Sequence, residues 1–364
     1  MAMSNGMQEI LLFVLLGLIA CCSIYLIIFY LKIYYKVISK TKKWNNNVEE
    51  NERDSLNESP GISVIIAANN QEAELRRNLE KILNQKYSKF EVIVVLDSEA
   101  DDSSEDLLTA FMEKYPNLYQ TYIPKGSKYL NRHKLMLSIG IKASHHKWLL
   151  FTDADCQPGS DQWIQLMANK MTADKSVVIG TVVLQPRSED YPISLWKKIQ
   201  KTFIDQMLNA LGMALNGKPY RASGKNMAYR KSLFNENKGF SRQLTFEGGE
   251  DSLLINDIAT GKNTAVVLNK KAWMFAETYC TKKSWKNKCK IEKKMAAKLT
   301  GSAAHLIGIK RLASYLLAIL VIVALTLSFI IQDWIVLTLV TSLWIIPMGI
   351  LFIIKRMSRN MYYL

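Results

Sequence analysis

The stretch KWLLFTDADCQP, Lys147 to Pro158, decides the reading of this chain. Trp148-Leu149-Leu150-Phe151 is a short apolar run of the kind that forms a strand buried on both faces. Asp153 and Asp155 follow it, one residue apart. Two carboxylates at that spacing, where a buried strand ends, can share one hard divalent cation, and such a cation neutralises phosphate oxygens. The plain alternative is a polar strand end carrying two solvated acids. The motif alone does not separate the two readings.

Working outward, the same pattern recurs. Pro60-Gly61 opens an alternation of strands and helices. Ile62 to Ala68 is a β-branched apolar run and predicts a buried strand. Glu72 to Leu83 carries Leu75, Leu79, Ile82 and Leu83 at helical spacing. Phe90 to Leu96 predicts a second buried strand. Ser103 to Lys114 predicts a helix, with Ser103 as its cap and Glu105 and Asp106 in its first turn. Leu118 to Ile123 predicts a third strand, Lys134 to Ala143 a helix, and Lys147 to Thr152 the strand that delivers Asp153. This alternation implies an α/β fold with a mostly parallel sheet covered on both faces. In such sheets ligands bind beyond the carboxyl ends of the strands. Three polar clusters fall there: Asn69 to Glu72, Asp97 to Asp102, and Asp153 to Asp155. Val177 to Leu184 predicts one further strand. Tyr191 to Leu215 is amphipathic, with Lys197, Lys198 and Lys201 nearby, and reads either as a core helix or as one lying in a membrane interface.

The 364 residues are 49% hydrophobic, unevenly spread. Leu11–Leu31, Leu312–Ile331 and Trp334–Ile354 each hold about 20 almost wholly apolar residues, enough to cross a bilayer as a helix. The first is too long for a signal peptide, and no basic flank precedes it. Lys32, Lys36, Lys40, Lys42 and Lys43 follow it; Lys310 and Arg311 precede the second span; Lys355, Arg356 and Arg359 follow the third. The turn at Gln332-Asp333 is free of Lys and Arg. The positive-inside rule then puts the large middle region and the C-terminus in the cytoplasm. The domains expected are 1–44, an N-terminal span with its basic flank; 45–59, a polar linker; 60–300, a cytoplasmic domain; and 301–364, a C-terminal hairpin and short tail. The net charge of +15 gathers beside the spans and in Lys282 to Lys298, a placement that fits membrane lipids and not nucleic acid. The five cysteines and four histidines show no metal-ligand spacing, so free thiols are expected. His145-His146 predicts a surface turn. Nothing in the sequence sets an oligomeric state.

Five ordered blocks now carry a resemblance: ISVIIAANNQEAEL, FEVIVVLDSEADDSS, KWLLFTDADCQP, SGKNMAYRKSLF and GGEDSLLIN. Together they resemble the membrane-bound family-two glycosyltransferases, inverting enzymes of GT-A fold, over Pro60 to Lys298. The resemblance implies a nucleotide-diphosphate sugar as donor and manganese or magnesium as metal. It implies that Ala68 and Glu72, at the first strand end, lie by the nucleotide. Asp97 matches the acid that holds the base. Asp155 matches the direct metal ligand, with Asp153 nearer the ribose or a metal-bound water. Lys134 matches a basic position contacting the nucleotide. Glu250-Asp251 matches a pair whose second acid is the catalytic base. Gly224 and Asn226 match donor-sugar contacts. Read without the resemblance, Glu250-Asp251 is more readily a cap for a helix from Ser252 to Ala259, a role compatible with the catalytic one, and Gly248-Gly249 before it lets backbone approach closely.

Two departures qualify the match. Leu96 stands where many relatives carry a first acid before Asp97. After Ser284-Trp285 the Q-x-x-R-W motif is missing: Ile291, Lys294 and Met295 take its places, and Lys294 brings charge to a diphosphate without the planar fork of Arg. That loss argues against a processive synthase. The expectation is one sugar added to a lipid or lipid-linked glycan at the cytoplasmic face of a bacterial inner membrane, in cell-envelope glycan synthesis. The alternatives are a non-catalytic scaffold on the same fold and a polysaccharide synthase acting with a partner subunit.

Overall fold

The computed structural model describes residues 5–46, 59–126, 131–187, 192–244, 246–332 and 334–362. The expected linker therefore lies largely outside the described residues. Two compact units divide the chain: residues 40–301, and residues 1–39 with 302–364.

In the larger unit the described elements run β1 (Ile62–Ala68), α3 (Glu72–Leu83), β2 (Phe90–Asp97), α4 (Ser104–Lys114), β3 (Leu118–Ile123), α5 (Arg132–Ala143), β4 (Trp148–Asp153), β5 (Cys156–Pro158), α6 (Trp163–Ala168), β6 (Val177–Ile179), β7 (Val182–Pro186), α7 (Ile193–Leu215), β8 (Met227–Arg230), α8 (Lys231–Glu236), α9 (Ser252–Ile258), β9 (Thr264–Val266), β10 (Met274–Thr278) and α10 (Lys282–Ala296). Seven of these strands form one sheet in the order β3-β2-β1-β4-β8-β6-β9. β1 runs parallel to both β2 and β4, and β2 to β3. β8 is antiparallel to both of its neighbours. The sheet is thus mostly parallel, as the strand-helix alternation requires. All seven residues of β1 are buried, because helices cover both faces and leave no polar side to alternate.

Register fixes where the acids emerge. Ala67 pairs with Asp153, Ala68 with Leu96, and Asp97 with Ile123, so β1, β2 and β4 finish level with one another. A second sheet, β5-β10-β7, follows directly on the D-x-D turn. Glu277 on β10 donates its N–H to the Asp155 carbonyl at 3.0 Å, and the buried Asn78 amide on α3 donates to the Ala154 carbonyl at 2.9 Å. The turn between the two acids is therefore pinned from two sides.

Three local expectations change. The strand expected over Val177 to Leu184 is two strands, β6 and β7, in different sheets. The chain changes sheets at Gly180, whose Cβ position lies 2.5 Å from the Asn226 amide, so no larger residue fits that crossing. Ser103 contributes no side-chain cap to α4; Asp102 accepts from the Ser104 hydroxyl at 2.8 Å and also from the Glu72 N–H at 2.9 Å, tying the two loops together. The Lys-bearing N-terminal half of α7 is amphipathic, but Met207 to Met213 is buried without a break. The C-terminal half is therefore core, in keeping with the first of the two readings.

The smaller unit holds α1 (Asn5–Phe29), a π-helical turn at Tyr30–Tyr35, the start of α2 (Lys36–Asn46), which continues into the larger unit, and α11 (Gly301–Ile331) and α12 (Trp334–Tyr362). Three segments are long and apolar enough to cross a membrane: Ile10–Asn45, Gly301–Ile331 and Trp334–Tyr362. Phe13, Tyr315, Phe329 and Ile335 leave most of their surface exposed, which suits side chains facing hydrocarbon. Within the unit, Tyr25 donates to the Leu306 carbonyl at 3.0 Å and Ser23 to the Leu343 carbonyl at 3.1 Å.

Candidate active site

The carboxyl ends of β1, β2 and β4 bring Ala68, Asp97, Asp153 and Asp155 to one edge of the sheet. Each acid there has a basic partner, Arg132 or Lys225, that was not singled out in the sequence. Asp97 is buried and accepts from Arg132, through Nε at 2.6 Å and through Nη2. Arg132 also reaches Glu99 at 3.0 Å. Its guanidinium beside Asp97 holds that carboxyl below the ordinary range, outweighing burial.

Arg132 begins a run, Arg132-His133-Lys134, in the first turn of α5, which Asn131 caps by accepting from the Lys134 N–H at 3.2 Å. Positive charge at a helix N-terminus opposes the helix dipole, so these residues answer to partners outside the helix. Arg132 takes Asp97. His133 Nε2 lies 3.6 Å from Glu250 Oε1. Lys134 is almost fully buried and donates to the carbonyls of Gln243 at 2.8 Å, Phe246 at 2.5 Å and Gly248 at 3.1 Å. Lys134 therefore departs from the expected nucleotide contact: its ammonium secures the loop that carries Glu250-Asp251. Burial pulls its pKa down, against the charges of Glu250 and Asp251.

Gly248 and Gly249 in that loop have φ of +77° and +73°, a region that costs little only without a side chain. Asp251 then caps α9, accepting from the Ser252 N–H at 2.5 Å with Oδ1 and from the Gly224 N–H at 2.9 Å with Oδ2. The cap reading holds, and each oxygen keeps a lone pair free. Glu250 is mostly buried, and its Oε2 has no hydrogen-bond partner among the described residues. Burial and then the neighbouring Asp251 charge push its carboxyl up.

The D-x-D acids meet at a single atom. Lys225 Nζ donates to Asp153 Oδ2 at 2.7 Å and to Asp155 Oδ1 at 2.6 Å. Burial alone lowers a lysine pKa, but the two carboxylates override it and hold this ammonium well above its usual value. Burial pushes Asp153 up, and Lys225 with His133 brings it below the ordinary range. Two carboxylate oxygens converging on one cation-sized point fit a divalent cation that completes its shell with diphosphate oxygens. Among the described residues no group of three or more His, Cys, Asp or Glu is placed to hold a metal, so protein ligands alone would not fill such a shell.

The remaining expected residues scatter. Gly224 acts through its backbone on Asp251. Asn226 is fully buried and bonds Trp163 Nε1 and the carbonyls of Thr181 and Ala272, facing the core and not the site. Glu72 opens α3 and pairs with Arg76 on the surface. Lys294 is exposed on α10, while Ile291 and Met295 of that helix face Gly248 and Gly249, each 3.3 Å from the Cβ position. Arg221, paired with Glu292 at 3.3 Å, joins α10 to the chain preceding Gly224. Lys225, Arg132 and His133 were missed by sequence reasoning. The signal for two of them was the basic run at a helix start; for Lys225 it was only its place between Gly224 and Asn226.

Comparison with known proteins agrees with this fold. Residues 63–237 match the model for Glycosyl transferase family 2. The chain is 27% identical over 214 residues to "Probable glycosyltransferase YdaM" of Bacillus subtilis (strain 168), covering 57% of this chain and 49% of that protein. It is 24% identical over 182 residues to EpsH of the same organism, also named as a glycosyltransferase, covering 48% of each. The chain thus spans about half the length of the curated relatives it matches. Among solved structures, a mannosyltransferase from Pyrobaculum calidifontis, determined with GDP-Man and Mn2+, superposes with a TM-score of 0.52 at 14% identity, covering 94% of this chain and 98% of that one; this likeness concerns the fold. Residues 63–237 are a family-2 glycosyltransferase domain of GT-A fold, borne on a chain with three helices long and apolar enough to cross a membrane.

Proposed function

We propose that this protein is an inverting, metal-dependent glycosyltransferase that moves one sugar from a nucleotide-diphosphate sugar to a hydroxyl of a lipid or lipid-linked glycan. The observation that carries the reading is the convergence of Asp97, Asp153 and Asp155 at level strand ends, with Asp251 tied to the same segment through Gly224.

The roles divide by environment. Asp97 and Arg132 would hold the nucleoside. Asp153 and Asp155 would hold a divalent cation, which when bound supplies positive charge to the leaving diphosphate. Inversion requires the acceptor oxygen to attack from the face opposite the diphosphate. A carboxylate near that oxygen takes its proton as the new bond forms. Glu250 is pushed toward its neutral form by burial and by Asp251, which leaves Asp251 as the base of the pair. The two N–H donors on Asp251 fix its orientation, as pre-organised proton transfer demands. The paired apolar helices would tether the domain to a bilayer, which favours a lipid-borne acceptor and a cytoplasmic donor site in a cell-envelope pathway. Addition of one sugar, not many, is favoured by Ile291 and Met295 packing beneath the loop where relatives carry Gln and Trp.

The test is nucleoside-diphosphate release by the detergent-purified full chain. It would be supplied with a panel of nucleotide sugars, Mn2+ or Mg2+, and bacterial lipid extract. Release from one donor, lost in Asp155→Asn and Asp251→Asn, is the expected result. Folded protein that binds no nucleotide from the panel would refute the reading.

A further inference from the structure

Gly224 to Asn226 binds the site together through three consecutive residues, each with a separate anchor. The Gly224 N–H holds Asp251. The Asn226 side chain is sealed in the core by Trp163, Thr181 and Ala272. Between them, Lys225 is fixed at its backbone on both sides, and its four-carbon stem delivers the ammonium to Asp153 Oδ2 and Asp155 Oδ1. Cys156 Sγ lies 3.8 Å from the same nitrogen and itself donates to Asp155 Oδ1 at 3.1 Å. The Lys225 side chain is only about a quarter exposed.

We propose that Lys225 is a built-in counter-cation that competes with the divalent metal for these two oxygens and passes to the donor's diphosphate when metal and donor enter together. This rests on the donor-site reading above. The two acids and one ammonium carry a net charge of −1. A cation entering alone must break both Lys225 contacts and leave a lysine charge beside a divalent ion in a partly buried place, where like charges repel strongly. A diphosphate changes that balance. Its oxygens accept the displaced ammonium, and a lysine stem has the rotamer freedom to follow them. Metal binding in the free protein is thereby held weak, and binding with nucleotide is favoured. Lys225 so couples two ligands that share one pair of carboxylates.

The experiment is titration of the detergent-purified full chain with Mn2+, reading free metal by electron paramagnetic resonance, with and without nucleoside diphosphate. Lys225→Met removes the charge at near-constant volume. It is expected to tighten Mn2+ binding without nucleotide by about tenfold or more, and to weaken nucleoside-diphosphate binding at saturating Mn2+. Lys225→Arg keeps the charge and is expected to keep the weak metal binding. Lys225→Gln repeats the measurement should the Met variant fold poorly. Mn2+ binding in both neutral variants no tighter than in the unaltered protein, while nucleoside diphosphate still brings Mn2+ to the unaltered protein, would overturn this inference and spare the donor site. An unaltered protein that binds neither Mn2+ nor nucleoside diphosphate would overturn both.

Discussion

The two ends of the parallel strands hold buried acids by opposite means. At the amino ends Glu91, at the start of β2, accepts from the Ser63 hydroxyl at 2.6 Å and the His145 N–H at 2.7 Å, and meets His145 Nδ1 at 2.7 Å. Serine and a backbone N–H sit on tethers too short to move without moving the sheet. At the carboxyl ends, Asp97, Asp153 and Asp155 are held by Arg132 and Lys225, on stems long enough to release one partner for another. The same kind of group is held by short tethers at one end and by long, flexible stems at the other. Substitutions at the carboxyl ends should therefore act mainly on ligand binding and rate, and those at the amino ends on stability alone.

The largest effect is expected from Asp251→Asn. An amide keeps the size and part of the capping but cannot take a proton. Turnover should fall about 10²–10⁴-fold, with donor binding nearly unchanged in calorimetry. Substantial residual turnover would point to an acceptor already ionised and would remove Asp251 from its role.

Lys134→Met tests the loop and should come second. It leaves carbonyls of Gln243, Phe246 and Gly248 without their common donor. A loss of about 3 kcal/mol in denaturant stability is expected, since bonds from charged donors are worth roughly 1.5–3 kcal/mol net. Turnover should fall with it, because Gly248-Gly249 positions the acid pair. A variant of ordinary stability with raised donor KM would return Lys134 to the nucleotide.

Arg132→Met should act more narrowly. It strips Asp97 of its partner, so nucleoside-diphosphate affinity should drop about tenfold while the rate at saturation holds, the size expected for one charge-assisted bidentate contact. Equal loss of both would break the contrast, making Arg132 a fixture like Ser63.

How far the sequence reveals all this follows from what each signal depends on. The sheet was legible because β1, β2 and β4 are continuous apolar runs, and burial on both faces demands such runs. Asp97, Asp153 and Asp155 were legible because strand ends are countable. The split between β6 and β7 was not, since Gly180 reads as one glycine within an apolar run, and only the Asn226 amide packed against it shows why the chain turns there. Lys134 was drawn from the right run, but its ammonium bonds a loop that the run does not foretell. Helical periodicity places three basic residues at one helix start, but which faces the acid, which the imidazole's partner and which the loop depends on contacts more than 100 residues away for Lys134. Lys225 left no periodic trace at all. Its role exists only where two distant segments cross.

The smallest predicted effect belongs to the amino-end network and sharpens the comparison by its pH dependence. Burial pushes the Glu91 carboxyl up, but the Ser63 hydroxyl and the imidazole and N–H of His145 bring it below the ordinary value. A carboxylate so lowered contributes stability that is complete above its unfolded pKa of about 4.3 and fades as pH falls through the folded value. Glu91→Gln should therefore cost about 1 kcal/mol at pH 7, with the gap from the unaltered protein closing below about pH 4. Donor KM and turnover should not move. A change in either would mean that the amino ends of the strands reach the site after all, and that a short tether does not confine an acid to structural work.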